Sequence, residues 1–163
     1  MENIGFTIED VLDLAIGMED NGVAFYTAAH EISDDPKVKA MFSGLTNMER
    51  SHKAKLSELK KRMVGFDDQK NSHVDEAVSD YLLTWVDAEV FKKKQNPKHE
   101  IVDSGHVTDI LKMAITLENE SIAFYSGLRD YVANNEAEDI ISFIIKEEFS
   151  HVARLNESLK VYF

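Results

Sequence analysis

Cysteine is absent from the 163 residues, which excludes disulfides, thiolate metal sites and cysteine nucleophiles. Proline occurs twice and glycine seven times, against 44% apolar residues, so few turns and long regular elements are expected. Basic residues number 18 against 30 acidic ones. The resulting formal charge of −12 argues against nucleic acid, whose phosphates require a basic surface. No basic stretch followed by an apolar core marks a secretory leader at the N-terminus. The longest apolar run in the last predicted helix, Phe143-Ile144-Ile145, is far too short to cross a bilayer. The expectation is a cytoplasmic protein with no membrane role, its residues 1–163 forming one domain large enough to bury a core.

What the sequence does contain is a repeat. Met18-Glu19-Asp20-Asn21-Gly22-Val23-Ala24-Phe25-Tyr26 returns as Leu117-Glu118-Asn119-Glu120-Ser121-Ile122-Ala123-Phe124-Tyr125. Glu49-Arg50-Ser51-His52 returns as Glu148-Phe149-Ser150-His151, and every equivalent pair is 99 residues apart. Laying Asp10–Leu59 on Asp109–Ser158 without a gap gives 15 identities, where unrelated segments of this length share roughly three. An internal duplication follows, and Glu, Tyr, Glu and His are among the repeated residues.

Periodicity places these residues on four helices. Thr7 followed by Glu9 and Asp10 reads as a helix start, and Ile8, Val11, Leu12, Ala15, Ile16, Val23 and Tyr26 form its apolar stripe. Ser33-Asp34-Asp35-Pro36 ends it, with Asp35 as the next cap and Pro36 in the next first turn. Val38, Met41, Phe42, Leu45, Leu56, Leu59 and Met63 form the second stripe. So short a connection makes the two helices antiparallel neighbours. Ile110, Leu111, Ala114, Ile115, Ile122 and Tyr125 repeat the first stripe. After a break at Asn134-Asn135, Ile140, Ile141, Ile144, Ile145, Val152, Leu155 and Leu159 repeat the second. The predicted units are a helix pair over 7–64, a crossover over 65–105 and a helix pair over 106–163. Within the crossover, Ala77, Val78, Tyr81, Leu82, Trp85 and Val86 predict a short helix. Gly65, Asn96-Pro97 and Ser104-Gly105 punctuate its ends, and Lys92-Lys93-Lys94 reads as a solvated face. About forty residues at ~3.3 Å each can run back the length of a helix pair. That permits a four-helix bundle with one long crossover.

Glu19, Glu49, Glu118 and Glu148 fall within the apolar stripes, and His52 and His151 lie three residues after two of them. A buried, unpaired carboxylate is heavily penalised and tends to protonate. Two cations shared among four carboxylates and two imidazoles remove that penalty. A Glu from each of two helices with Glu-x-x-His from each of the other two is the ligand set of di-iron or di-manganese carboxylate bundles. Oxygen and imidazole donors suit iron or manganese, and the missing thiolates weaken a structural zinc reading. Chance alone gives about 0.6 Glu-x-x-His matches in this composition, so the weight rests on two copies in register. The alternative is a hairpin duplicated for packing alone, with these groups on its surface. Their place inside the apolar face argues against it.

Glu19 with Tyr26, Glu49 with His52, Glu118 with Tyr125 and Glu148 with His151 resemble the ferritin-like di-iron carboxylate proteins, above all rubrerythrin and bacterioferritin. The resemblance covers the four main helices and leaves the crossover aside. It implies an all-α, ferritin-like four-helix bundle holding two iron ions, with manganese or zinc as substitutes. It implies Glu49 and Glu148 as bridges, and Glu19 with His52 and Glu118 with His151 as terminal ligands. It also implies Tyr26 and Tyr125 as supporting hydrogen-bond donors to carboxylates.

Rubrerythrins carry a further glutamate where this chain has Ser121, so the expected site is the symmetric six-ligand kind. Their rubredoxin domain requires cysteine, so electrons are expected from an external donor. Bacterioferritin's haem-binding methionine is Arg50 here, and no haem is expected. A cage-forming fifth helix is not expected after Phe163, so a homodimer or small homo-oligomer is. The implied activity is reduction of hydrogen peroxide or dioxygen. The alternatives are a ferroxidase or iron-binding protein, and a metal-free helical interaction module. His30, His73, His99 and His106 read as surface residues, and Glu147 as a solvent-facing acid, with a role in orienting a histidine ligand as its alternative.

Overall fold

The computed structural model describes residues 5–64, 74–87, 101, 106–130 and 135–162. Among these residues, five helices carry the fold: α1 (Ile8–Ile32), α2 (Pro36–Val64), α3 (Glu76–Asp87), α4 (Val107–Arg129) and α5 (Asn135–Lys160). Thr7 caps α1 reciprocally with Asp10. The Asp10 amide donates to Thr7 Oγ1 at 3.2 Å and the Thr7 amide donates to Asp10 Oδ2 at 2.8 Å. Asp35 Oδ1 accepts from the amides of Lys37 and Val38 at 2.8 and 3.3 Å, opening α2 at Pro36. Each of these contacts satisfies backbone donors that a helix start leaves without partners. His30, expected on the surface, is half-buried, and its Nδ1 donates to the Lys39 carbonyl at 2.9 Å across the α1–α2 turn.

The packing partners give the topology. α1 lies along α2 and α4 along α5, and the two hairpins meet through α1 with α4 and α2 with α5. Tyr26 reaches Glu118 while Tyr125 reaches Glu19 and the Ala15 carbonyl, so α1 and α4 run antiparallel. Met41 contacts Ser158, His52 contacts Glu148 and Arg62 contacts Glu136, so α2 and α5 do too. Since α1 opposes both α2 and α4, these last two point the same way. Only a connection that runs back along the bundle can join them, as the length of the crossover predicts. Gly65, Asn134, the lysine run and the Pro97 and Gly105 punctuation lie outside the described residues, as do His73 and His99.

Two apolar layers flank the repeated acids and histidines, and a smaller third cluster gathers Leu12, Leu59, Met63 and Ala137. One layer contains Val11, Ala15, Leu56, Phe124, Tyr125, Ile141 and Ile144; the other contains Ile110, Ala114, Leu155, Phe25, Tyr26, Phe42 and Leu45. Each residue of the first is the 99-residue counterpart of one in the second, so the duplication folds into two copies of one packing unit. Burial of each large side chain contributes roughly 1.5–3 kcal/mol. The buried face of α1 is wider than the predicted stripe: Met18 and Phe25 are buried, whereas Ile16 and Val23 are half-buried. α1 packs against both α2 and α4, so two adjacent lines of its side chains are buried and a single stripe misses the second.

The helix predicted within the crossover is α3. Val78 and Leu82 enter the first layer, while Ala77 is exposed. Tyr81 donates to the carbonyls of Ala123 and Phe124 at 2.9 and 3.2 Å, and Trp85 meets Phe124 edge-on at 5.8 Å. Docking depends on Gly127, where a Cβ would collide with the Tyr81 ring and hydroxyl. A Cβ at Gly44, in the exposed part of α2, would meet only open space. Gly44→Ala is therefore expected to raise stability by about 0.5–1 kcal/mol. Gly127→Ala is expected to lose that gain and to speed amide exchange across α3. Thermal melts with hydrogen-exchange mass spectrometry measure both, and equal stabilisation by the two alanines would contradict the docking geometry.

Candidate metal centre

Midway along the bundle each long helix turns one carboxylate inward. Glu19 and Glu118 are 2% exposed, Glu49 5%, and Glu148, His52 and His151 0%. The residue seven before each tyrosine and the two Glu-x-x-His pairs thus meet in one place, as helical spacing requires. His52 Nδ1 lies 3.1 Å from Glu148 Oε1 and 3.4 Å from Glu19 Oε2. His151 Nδ1 lies 2.7 Å from Glu148 Oε2, 3.3 Å from Glu118 Oε1 and 3.4 Å from Glu49 Oε1. The two imidazoles stack with centroids 5.8 Å apart.

These atoms fall into two groups, Glu19–Glu49–His52–Glu148 and Glu49–Glu118–Glu148–His151, each with its donor atoms within 4.8 Å of one another. Glu49 and Glu148 belong to both. Tyr26 donates its hydroxyl to Glu118 Oε1 and Tyr125 to Glu19 Oε1. Each tyrosine therefore holds the carboxylate of the opposite hairpin, a partner that spacing within one helix does not reveal. Burial, then the neighbouring Glu118 or Glu19, pushes both phenols up, so both remain donors.

Glu147 corrects a sequence expectation. It is 30% exposed and reaches from α5 to α2, with Oε2 2.9 Å from His52 Nε2. A residue one position from Glu148 is turned only ~100° from it, which places it at the edge of the buried face. His106 is exposed at the start of α4, away from the acids.

The model of the rubrerythrin family matches residues 10–159, which take in all of these side chains. The chain belongs to the rubrerythrin family. Two solved structures share its fold. One is a Thermotoga maritima protein described as ferritin-like and diiron-carboxylate, with a TM-score of 0.69, 21% identity and 98% of each chain covered. The other is a hypothetical protein from Pyrococcus furiosus, with a TM-score of 0.67 and 19% identity over 96% of this chain and 90% of that one. No curated protein gives a significant sequence match. Ser121, on which the expectation of a six-ligand site rests, is half-buried in this rubrerythrin-family bundle.

The donor set fits metal ions. Glu19 Oε2, Glu49 Oε1, both Glu148 oxygens and the Nδ1 atoms of His52 and His151 are buried without a hydrogen-bond partner among the described residues. So many buried donors and acceptors, in ion-pair range of one another but without well-formed hydrogen bonds, are costly unless a cation joins them. Hard oxygen donors with imidazole suit iron or manganese. Gly22 makes the room: a Cβ there would lie 3.1 Å from Glu49 Cγ and Oε2. Left to themselves, the acids and imidazoles share protons. Burial pulls the imidazoles down, but Glu148 and Glu19 leave His52 raised to about 11, and Glu118 and Glu148 leave His151 raised to about 12. Burial raises Glu49 well above the carboxylate range and Glu118 to about 8. It also pushes Glu148 up, but His151 and His52 hold that carboxyl down to about 2.

Two expectations follow from this chemistry. The imidazoles and Glu118 all titrate above neutrality, so a bound cation must displace their protons. Metal binding is then expected to release protons and to tighten as pH rises through about 8, where Glu118 loses its proton, and further above it while the imidazoles stay protonated. Calorimetry in buffers of different ionisation enthalpy measures the release, and a value of zero would contradict the proton sharing. Substitutions separate shared from unshared groups. Glu148→Ala is expected to impair both metals and His151→Ala mainly one, whereas Gly22→Ala should weaken binding while leaving the fold as stable. Metal stoichiometry together with melting temperature reads all three, and two tightly held metals in Glu148→Ala would refute the shared role.

Proposed function

We propose that this protein is a di-iron oxidoreductase that reduces hydrogen peroxide, and dioxygen less readily, with electrons from an external donor. The observation that carries this reading is the pair of buried donor groups sharing Glu49 and Glu148, in a chain of the rubrerythrin family. Glu19, Glu49, His52 and Glu148 would hold one iron, and Glu49, Glu118, Glu148 and His151 the other. When bound, two irons supply one electron each, the pair that an O–O bond takes up on cleavage. With two protons, hydrogen peroxide then becomes two waters.

The protein's own groups set the conditions for that chemistry. The apolar layers exclude bulk water on both sides, which strengthens every interaction between charges inside. Tyr26 and Tyr125 orient the terminal carboxylates Glu118 and Glu19, fixing which oxygens face the centre. The 163 residues contain no cysteine, so they offer no thiolate redox centre to return electrons, and a separate donor is required. A homodimer or small homo-oligomer is proposed as the working form.

Rapid mixing of the di-ferrous protein with each oxidant tests the proposal. One equivalent of peroxide should oxidise both irons in a single two-electron event, and reaction should then stop until a rubredoxin-like donor is added. Faster reaction with dioxygen followed by departure of the oxidised iron would replace this reading with a ferroxidase one.

A further inference from the structure

The 99-residue repeat matches ligand for ligand, but not at the residue beside each shared glutamate. Glu147 precedes Glu148, whereas Met48 precedes Glu49. The contacts differ accordingly. His52 Nε2 has Glu147 Oε2 at 2.9 Å. His151 Nε2 is buried with no hydrogen-bond partner among the described residues, and Met48 Sδ lies instead 3.8 Å from Arg154 Nη1. Both imidazoles point Nδ1 at the acids. To offer a lone pair there, each ring must carry its proton on Nε2. A carboxylate receives that proton on His52, fixing the tautomer and ring angle, and none of the described residues receives it on His151.

We propose that Glu147 makes the two halves of the centre unequal, so that the His52 half holds a divalent metal more tightly than the His151 half. Glu147 is a positioning residue acting through His52, and the proposal rests on the metal-centre reading above. Partners of this kind are worth about 10–100-fold in metal affinity. That is the separation expected between the two binding steps.

Anaerobic calorimetric titration of the full chain with Co²⁺, followed also by visible absorption, tests it. The wild type should bind two ions in two resolved steps. His151→Ala should keep the tight step, and His52→Ala should lose it. Glu147→Met, which copies the other half, should bring the two constants together by weakening the tighter one about 10–100-fold. Met48→Glu should bring them together the other way, by strengthening the weaker one. A merely structural role for Glu147 does not produce that gain. Two equal constants in the wild type, or unchanged constants in both Glu147→Met and Met48→Glu, would overturn the inference and leave the metal centre standing. A wild type that binds no Co²⁺ would instead overturn the metal-centre reading, and this inference with it.

Discussion

Everything in this bundle is arranged around the cost of taking four carboxylates and two imidazoles out of water. Desolvation of one such ion costs several kcal/mol, against a total stability of about 5–15 kcal/mol for an ordinary domain. A core that accepts six such groups must return the cost through mutual contact, shared protons or cations. The contacts among His52, His151 and Glu148 supply part of it, and the phenols of Tyr26 and Tyr125 supply two further donors. The apolar layers above and below have the complementary task. Phe42, Leu45, Leu56, Ile141 and Ile144 are almost wholly buried and hold the helices where these contacts can form.

Surface electrostatics contribute little to that balance. Lys53–Asp20, Lys60–Asp13 and Arg62–Glu136 join neighbouring helices at 2.5–2.6 Å, but exposed pairs of this kind contribute roughly 0–1 kcal/mol each. They bind α1 to α2 and α2 to α5 along the rim. The same carboxylate chemistry therefore means opposite things at the rim and at the centre of one helix, as Asp13 and Glu19 illustrate.

Much of this was legible before any coordinates, because helical periodicity and an exact internal repeat are both one-dimensional signals. The four long helices, the short one around Leu82 and the meeting of Glu19, Glu49, His52, Glu118, Glu148 and His151 follow from spacing. Contacts between elements are another matter. Spacing puts Tyr26 on the face of Glu19, yet its hydroxyl goes to Glu118, since that choice depends on how the hairpins cross. Glu147 read as a solvent-facing acid because it sits one step off the stripe, and only the closeness of α2 turns it into a partner for His52. Met18 and Phe25 lie off the predicted stripe for a similar reason: α1 has two neighbouring helices, α2 and α4, which bury two lines of its side chains, and a stripe describes one.

The crossed tyrosines have a consequence for how such a centre can be built at all. A single hairpin carrying Glu19, Tyr26, Glu49 and His52 has neither the phenol for its own Glu19 nor the second acid shared by both donor groups. Two separate copies could supply both to each other, but only as a two-fold pair, where any substitution appears on both sides at once. Joining the copies into one chain, at the expense of a long return segment, breaks that obligation. Each side is then free to change alone, and Glu147 opposite Met48 is one such change: one polypeptide can treat two otherwise matching positions differently, which a pair of identical subunits cannot.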